Sequence, residues 1–320
     1  MGCNTNSSFS DKEKPIVGQK VNIDCLIGQP TELVRIDSLL MFYDKYDKQL
    51  ITVFDVKNDR FVRRFMDEGQ GPEEAIPPLK LFIDNGQLGV FQMQTGALSL
   101  YDVKDIVNIG QTPIAEKKLV FKDRPANIKP TQSGFVGIGM FDDGRYRLYD
   151  KNAEYIGVFG TYPFKGEEMD PTMRFFIYQG NFCSNGNHFT FGCSYCDNIE
   201  FYQIENNKAL LVHKQETMDA KVQFSQKLQI EDDCVMNYKS AYGGDNYCYM
   251  LYSGKTYAEQ NRRSVRGNKI RIFDWQGKYI QTFTTDKDIF SICVDEPDGI
   301  LYAAAYDNNA GFVIERFNIN

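Results

Sequence analysis

Histidine is nearly missing from this chain: His188 and His213 are the only two in 320 residues. General acid–base catalysis uses histidine more than any other side chain, so a His-dependent mechanism has two residues to draw on. Neither stands in a serine or cysteine nucleophile motif, and no Gly-x-Ser-x-Gly elbow occurs. Long apolar runs are missing too, since none approaches the ~20 residues that cross a bilayer as a helix. Positive charge is in deficit, with 36 Lys and Arg against 43 Asp and Glu and a net charge of −7. Phosphate backbones need a basic face, so nucleic acid is excluded as a partner and an anionic membrane surface is disfavoured. The eight cysteines (3, 25, 183, 193, 196, 234, 248 and 293) are too few for a dense disulfide framework.

What the chain has in quantity is 24 Phe and 19 Tyr, against one Trp. Six of these aromatics end the same strand-like run: Phe54, Tyr101, Tyr149, Tyr202, Phe273 and Phe317, separated by 47, 48, 53, 71 and 44 residues. Self-similarity at this period means a propeller or solenoid. Positions one and three before each aromatic are apolar in every copy except at Arg316. The aromatic itself breaks that period-two alternation. A strand buried on both faces accepts this pattern, so the aromatics are expected in the gaps between repeats, as packing residues without a functional role. The Asp, Gln or Asn that follows each one opens the next turn.

Each copy expands into four short strands, with turn signals such as Asn85-Gly86, Ser133-Gly134 and Asp298-Gly299 between them. The predicted class is all-β, a six-bladed propeller of four-stranded antiparallel blades. Glu116–Phe121 is expected to be the fourth strand of blade two and Phe175–Ser184 the first of blade four. Lys278–Phe283 is expected to end blade five and Ser291–Val294 to begin blade six. After Phe317 no sequence is left for a twenty-fourth strand, whereas Gly18–Leu26 is a spare one with Val21, Ile23 and Cys25 alternating. This N-terminal strand is predicted to complete the last blade, because an unpaired edge is what proteins avoid. Residues 14–320 then form one domain behind a flexible tether, residues 1–13, too polar to fold.

Function is expected where the repeat is broken. Met66–Pro77, Gly160–Arg174, Gln215–Cys234 and Ser253–Asn268 are long connections on one side, opposite tight turns. Long loops on a rigid scaffold are where binding sits, so they should gather at one mouth of the channel. Asp170, Arg174, Tyr178, Tyr238, Tyr242 and Lys255 flank them and are the candidate ligand-binding residues. Gly69-Gln70-Gly71-Pro72-Glu73-Glu74 lacks the lysine and helix of a phosphate loop and reads as a turn. Asp142-Asp143-Gly144-Arg145 lacks the ligand ladder of a calcium loop and reads as a hairpin. Cys193-x-x-Cys196 has no second pair for zinc and sits at a hairpin, so a local disulfide or two packed thiols are expected. No catalytic set, resident metal or cofactor is implied.

The Gly69-Gln70-Gly71-Pro72-Glu73 motif, the Tyr252-Ser253-Gly254-Lys255 segment and the Met1-Gly2-Cys3 start resemble the six-bladed β-propeller lipoproteins of Bacteroidales, relatives of TolB-like and NHL-type propellers. The likeness spans residues 14–320 and departs from the family at Glu73, where a second glycine is usual. It implies an envelope location with Cys3 as the lipidated residue, the signal peptide lying before this numbering. The protein is read as a monomeric binding or scaffold lipoprotein that contacts a protein, peptide or glycan through its long-loop face. The alternative is an enzyme resembling six-bladed lactonases or lyases, with a metal held at the channel mouth by groups such as Asp37, Asp84, Asn127 and Asp295.

Overall fold

Turn chemistry sets the strand lengths. Asn85 (φ 47°) and Gly86 (φ 80°) both take left-handed backbone, the hairpin geometry whose twist matches that of the flanking strands. The computed structural model describes residues 12–45, 48–163, 169–216, 220–262 and 266–320. Cys3 and the expected tether up to residue 11 lie outside the described residues.

Two short strands, β1 (Glu13–Ile16) and β2 (Gln19–Lys20), precede blade one, which is β3 (Pro30–Ile36), β4 (Leu39–Asp44), β5 (Gln49–Asp55) and β6 (Arg60–Asp67). Blade two is β7 (Leu79–Asp84), β8 (Gln87–Gln92), β9 (Ala97–Asp102) and β10 (Lys117–Val120), with helix α1 (Val103–Val107) in its long excursion. Blade three is β11 (Asn127–Thr131), β12 (Gly134–Ile138), β13 (Tyr146–Asp150) and β14 (Tyr155–Phe159). Helix α2 (Pro171–Ile177) leads into blade four, β15 (Gly180–Ser184), β16 (His188–Cys193), β17 (Asn198–Glu205) and β18 (Lys208–Glu216). A hairpin, β19 (Val222–Phe224) and β20 (Leu228–Ile230), fills the insertion that stretches one spacing to 71 residues. Then come β21 (Tyr238–Gly243), β22 (Tyr247–Tyr252), β23 (Gly267–Asp274), β24 (Tyr279–Asp295), β25 (Ile300–Asp307) and β26 (Gly311–Asn318).

The six antiparallel blades are those expected, with three departures. Phe175–Ser184 is not one strand: its first half belongs to α2, because Asp170 caps the helix by accepting from the Thr172 and Met173 N–H groups and Pro171 stands in the first turn. The expected end of blade five and start of blade six are one strand. The Thr282–Thr284 part of β24 pairs with β23, and its Ser291–Asp295 part pairs with β25. No glycine or proline interrupts it, and it passes from one blade to the next with a register shift after Thr284. The closing strand is shorter than Gly18–Leu26. Gln19 and Lys20 pair with Arg316 and Glu315 of β26, and the Val21 N–H donates to the Ile314 carbonyl at 2.9 Å. Ahead of it, β1 lies parallel against β24 as an extra outer strand of blade five. The N-terminal segment thus touches blades five and six before entering blade one.

The repeated aromatics are all buried and fill the gaps between blades. Phe65 of blade one lies 5.6 Å from Tyr101 of blade two, Phe121 lies 4.9 Å from Tyr149, and Phe159 lies 5.0 Å from Tyr202. Each aromatic packs back on the preceding blade while the apolar residue before it faces the next: Leu148 joins the blade-four core and Tyr149 the blade-two core. In blades one, three, four and five the outer strand holds one extra residue opposite this step, namely Val62, Ile156, Val212 and Ile280. Such bulges raise the local twist.

The polar position of the repeat, two before the aromatic, is buried in every blade but the third, where Arg147 is half-buried, and in blades three, four and five it holds cross-blade pairs. Glu200 of blade four meets Arg145 of blade three at 2.5 Å and accepts from the hydroxyls of Tyr202 (2.8 Å) and Tyr146 (3.1 Å). Arg271 of blade five reaches Asp197 at 3.3 Å and lies over the Tyr252 ring. Arg147 meets Asp123 at 2.6 Å. Arg145–Glu200 is the fully buried one of these pairs, and removing one partner of such a pair leaves an uncompensated charge and costs about 3–5 kcal/mol.

Deleting residues 1–26 removes both N-terminal strands and the buried Ile16 and Val21 side chains. At about 1.5–3 kcal/mol for each buried aliphatic side chain, the loss is at least several kcal/mol. A thermal melt of the truncated chain is expected to show a lowered and broadened transition; an unchanged melting temperature contradicts the closure.

Candidate functional site

The innermost strands, β3, β7, β11, β15, β21 and the second half of β24, surround the channel and run from the long-loop face towards the tight-turn face. Each contributes at least one polar side chain: Thr31, Lys80, Asn127, Asn181, Lys239 and Ser291, joined by Glu32, Lys129 and Ser240. Together they line a cavity of about 220 Å³ at the ends where the inner strands begin. A smaller cavity of about 100 Å³, lined by Arg35 and Tyr242, occupies the other half of the channel.

Glu32 also lines the upper cavity, and the backbone is strained to put it there. It has φ 53°, left-handed for a residue with a side chain, and the β3–β4 register jumps between Thr31 and Val34. Its carboxylate pairs with Lys80 at 2.7 Å. Burial pushes the Glu32 carboxyl up, but Lys80 and Lys129 outweigh it and hold the group below the usual carboxylate range. Lys129 donates to the Leu81 carbonyl at 3.0 Å. Burial lowers its ammonium, Glu32 restores part of that, and the neighbouring Lys80 lowers it further. Lys239 is 9% exposed and donates to the Ser194 carbonyl at 3.3 Å, 5.5 Å from the Tyr195 ring. Burial pushes its ammonium down to about 7.

None of the six residues expected to bind ligand lines the upper cavity. Asp170 is spent as the cap of α2, and Arg174 reaches the Asp142 carbonyl at 3.4 Å. Tyr178 is buried, and its carbonyl accepts from Arg145 at 3.3 Å. Tyr238 is fully buried between blades, its hydroxyl accepting from Arg271 at 3.1 Å. Lys255 pairs with Asp288 at 3.0 Å on the long-loop side, while Tyr242 lines the lower cavity. The six do not form one site. Of the four groups considered as metal ligands, only Asn127 lies in the upper cavity. Asp37 and Asp84 end inner strands at the other face, and Asp295 pairs there with Arg35 at 2.5 Å.

The cavity lysines left a signal that loop length does not capture. Lys80 stands between Leu79 and Leu81, Lys129 between Ile128 and Pro130, and each is on the first strand of a blade. A charged residue amid apolar neighbours on an innermost strand has the channel as its only polar outlet. The other motifs are structural. Gly71 N–H donates to Glu74 at 2.7 Å, and Glu73 holds Lys118 at 2.8 Å and the Tyr101 hydroxyl at 3.3 Å, which ties the loop to blade two. Asp143 binds Arg147 at 2.7 Å and the Tyr155 hydroxyl at 2.9 Å. Cys193 and Cys196 are buried thiols packed together.

Lys239 gives the stability a pH dependence. An unfolded lysine titrates near ~10.4 and this one near 7, so between those values the unfolded chain binds more protons. Stability therefore rises with pH across that window, and the burial penalty is full below it. Thermal melts of the wild type and Lys239→Met at pH 7 and 9.5 are expected to show the variant's relative advantage shrinking as pH rises, by a few kcal/mol on the order of 1.4 per pH unit. A difference independent of pH contradicts a neutralised lysine.

The fold is shared with other chains. A protein of Bacteroides fragilis NCTC 9343 named as exported superposes with a TM-score of 0.61 at 12% identity, over 95% of each chain. Regucalcin of Agrobacterium tumefaciens str. C58, a calcium-binding protein, gives 0.52 at 11% identity over 97% of each chain. A luciferin-regenerating enzyme gives 0.50 at 10% identity over 95% of each chain. At these identities the likeness is one of fold alone. No curated protein matches the chain. The family described as TolB-like 6-blade propeller-like matches residues 8–297, and with its six antiparallel blades the chain belongs to that family.

Proposed function

We propose that this protein is a non-catalytic binding module of the cell envelope, carried by a lipid on Cys3, that recognises a glycan, peptide or protein at the long-loop mouth of its channel. The observation that carries this reading is the upper cavity, to which all six blades contribute a polar side chain. A site assembled from every blade is rigid, because no one blade moves without its neighbours. The strained Glu32 belongs to the same cavity, and strain of this kind collects at functional positions. Likeness to a protein named as exported supports the envelope location, as does the cysteine at the head of a polar tract.

A metal-dependent lactonase or lyase fits the cavity less well. Its one carboxylate, Glu32, is already paired with Lys80 and lies in the field of Lys129. A divalent cation beside it would meet two ammoniums in a place where little water screens them. Arrays of envelope oligosaccharides and peptides, probed with the purified chain, are expected to give ligands whose retention is lost in Ser240→Trp, which fills the cavity. Native mass spectrometry showing a stoichiometric calcium or zinc ion, with lactone hydrolysis lost in Glu32→Gln, would reverse the assignment in favour of the enzyme.

A further inference from the structure

We propose that the upper cavity binds the carboxylate of a small hydroxylated acid, of the size of one hexuronate unit, between the ammoniums of Lys80 and Lys129. The proposal deepens the binding reading above and rests on it. Its first support is a charge imbalance. Two ammoniums share one carboxylate, since Glu32 is bound to Lys80 at 2.7 Å and is also the carboxylate that acts on Lys129. With both lysines protonated, one positive charge is left over inside a chain that is acidic overall. In a partly desolvated channel such a charge is costly, and an incoming anion removes the cost. Lys45 adds a further ammonium at the rim, where the Asp44 carboxylate is turned towards the Gly28 N–H at 2.8 Å.

The second support is the neutral lining. Asn127 Oδ1 and Thr31 Oγ1 are buried without a hydrogen-bond partner, and both residues line the cavity. Buried polar atoms are nearly always satisfied, and a side-chain rotation that turns either oxygen into the cavity gives a ligand hydroxyl an acceptor while lysines hold the acid. Lysine is a compact point charge, where arginine is a planar fork suited to bidentate oxyanion recognition, so the site suits a single carboxylate set among hydroxyls. The third support is size. A cavity of about 220 Å³ corresponds to roughly seven waters at ~30 Å³ each, below the ~300–1,000 Å³ of drug-sized sites. One substituted sugar ring fits it, and a folded protein surface does not.

Isothermal titration of the full chain with D-glucuronate, D-glucose, trigalacturonate and inorganic phosphate tests the proposal. Glucuronate or trigalacturonate is expected to bind where glucose does not. Lys129→Met and Lys80→Gln are each expected to weaken binding at least tenfold with melting retained, and Lys122→Met, on the exposed pair with Glu154, to leave it within twofold. Tighter binding of trigalacturonate than of glucuronate identifies a glycan as the source of the acid, and equal binding a free acid. Binding of neither acid, equal binding of glucose or phosphate, or unchanged affinity in the folded Lys129→Met and Lys80→Gln variants overturns the proposal. If an array ligand is still retained in those variants and lost in Ser240→Trp, the binding reading stands and only the carboxylate assignment falls.

Discussion

The third strand of each blade but the last buries both of its faces around its aromatic, and the rest of the molecule follows from that constraint. A residue facing the next blade and an aromatic facing the previous one sit side by side, as Leu148 and Tyr149 do. The polar residue on the aromatic's side is enclosed with it, so it needs a partner across the gap. Glu200 finds Arg145 and Arg271 finds Asp197. Apolar contact supplies most of the attraction between blades, and the charged pairs decide which faces match. Opposite the step, the extra residues Val62, Ile156, Val212 and Ile280 add the twist that lets flat strands fan out around an axis.

That ring construction also makes the site. Six inner strands brought around one axis place their upper ends within a small volume, so residues far apart in sequence face one another. Lys80, Lys129 and Lys239 come from blades two, three and five, and Glu32 from blade one. Glu32 pairs with Lys80, while Lys129 and Lys239 donate to the Leu81 and Ser194 carbonyls. These three lysines and one carboxylate thus meet in the upper cavity of an overall acidic chain.

The architecture was legible because its signal is local and repeated: alternation, an aromatic and a turn residue within each third strand. The missing last strand was legible by counting, although only Gln19 to Val21 take up the edge. Helix α2 was not, because Phe175-Phe176-Ile177 has the composition of a strand and the outcome turned on the Asp170-Pro171 cap before it. The fusion of two strands into β24 was hidden in the same way, since the polar Thr285-Asp286-Lys287-Asp288 stretch reads as a turn but carries no glycine or proline to make one. Loop length, the guide to candidate site residues, does not pick out the residues that line the upper cavity. Polar side chains near long loops turned out to cap helices or bridge blades, whereas the cavity groups stand on the regular inner strands. Their convergence depends on register around the ring, and the positive φ of Glu32 has no sequence signature.

Anomalous diffraction from crystals soaked in bromide and, separately, in manganese addresses the central claim directly, because it reports which sign of charge the channel accepts. The account predicts a bromide peak between the Lys80 and Lys129 ammoniums and no manganese beside Glu32. A manganese peak at the Glu32 carboxylate, with bromide excluded from the cavity, would contradict it.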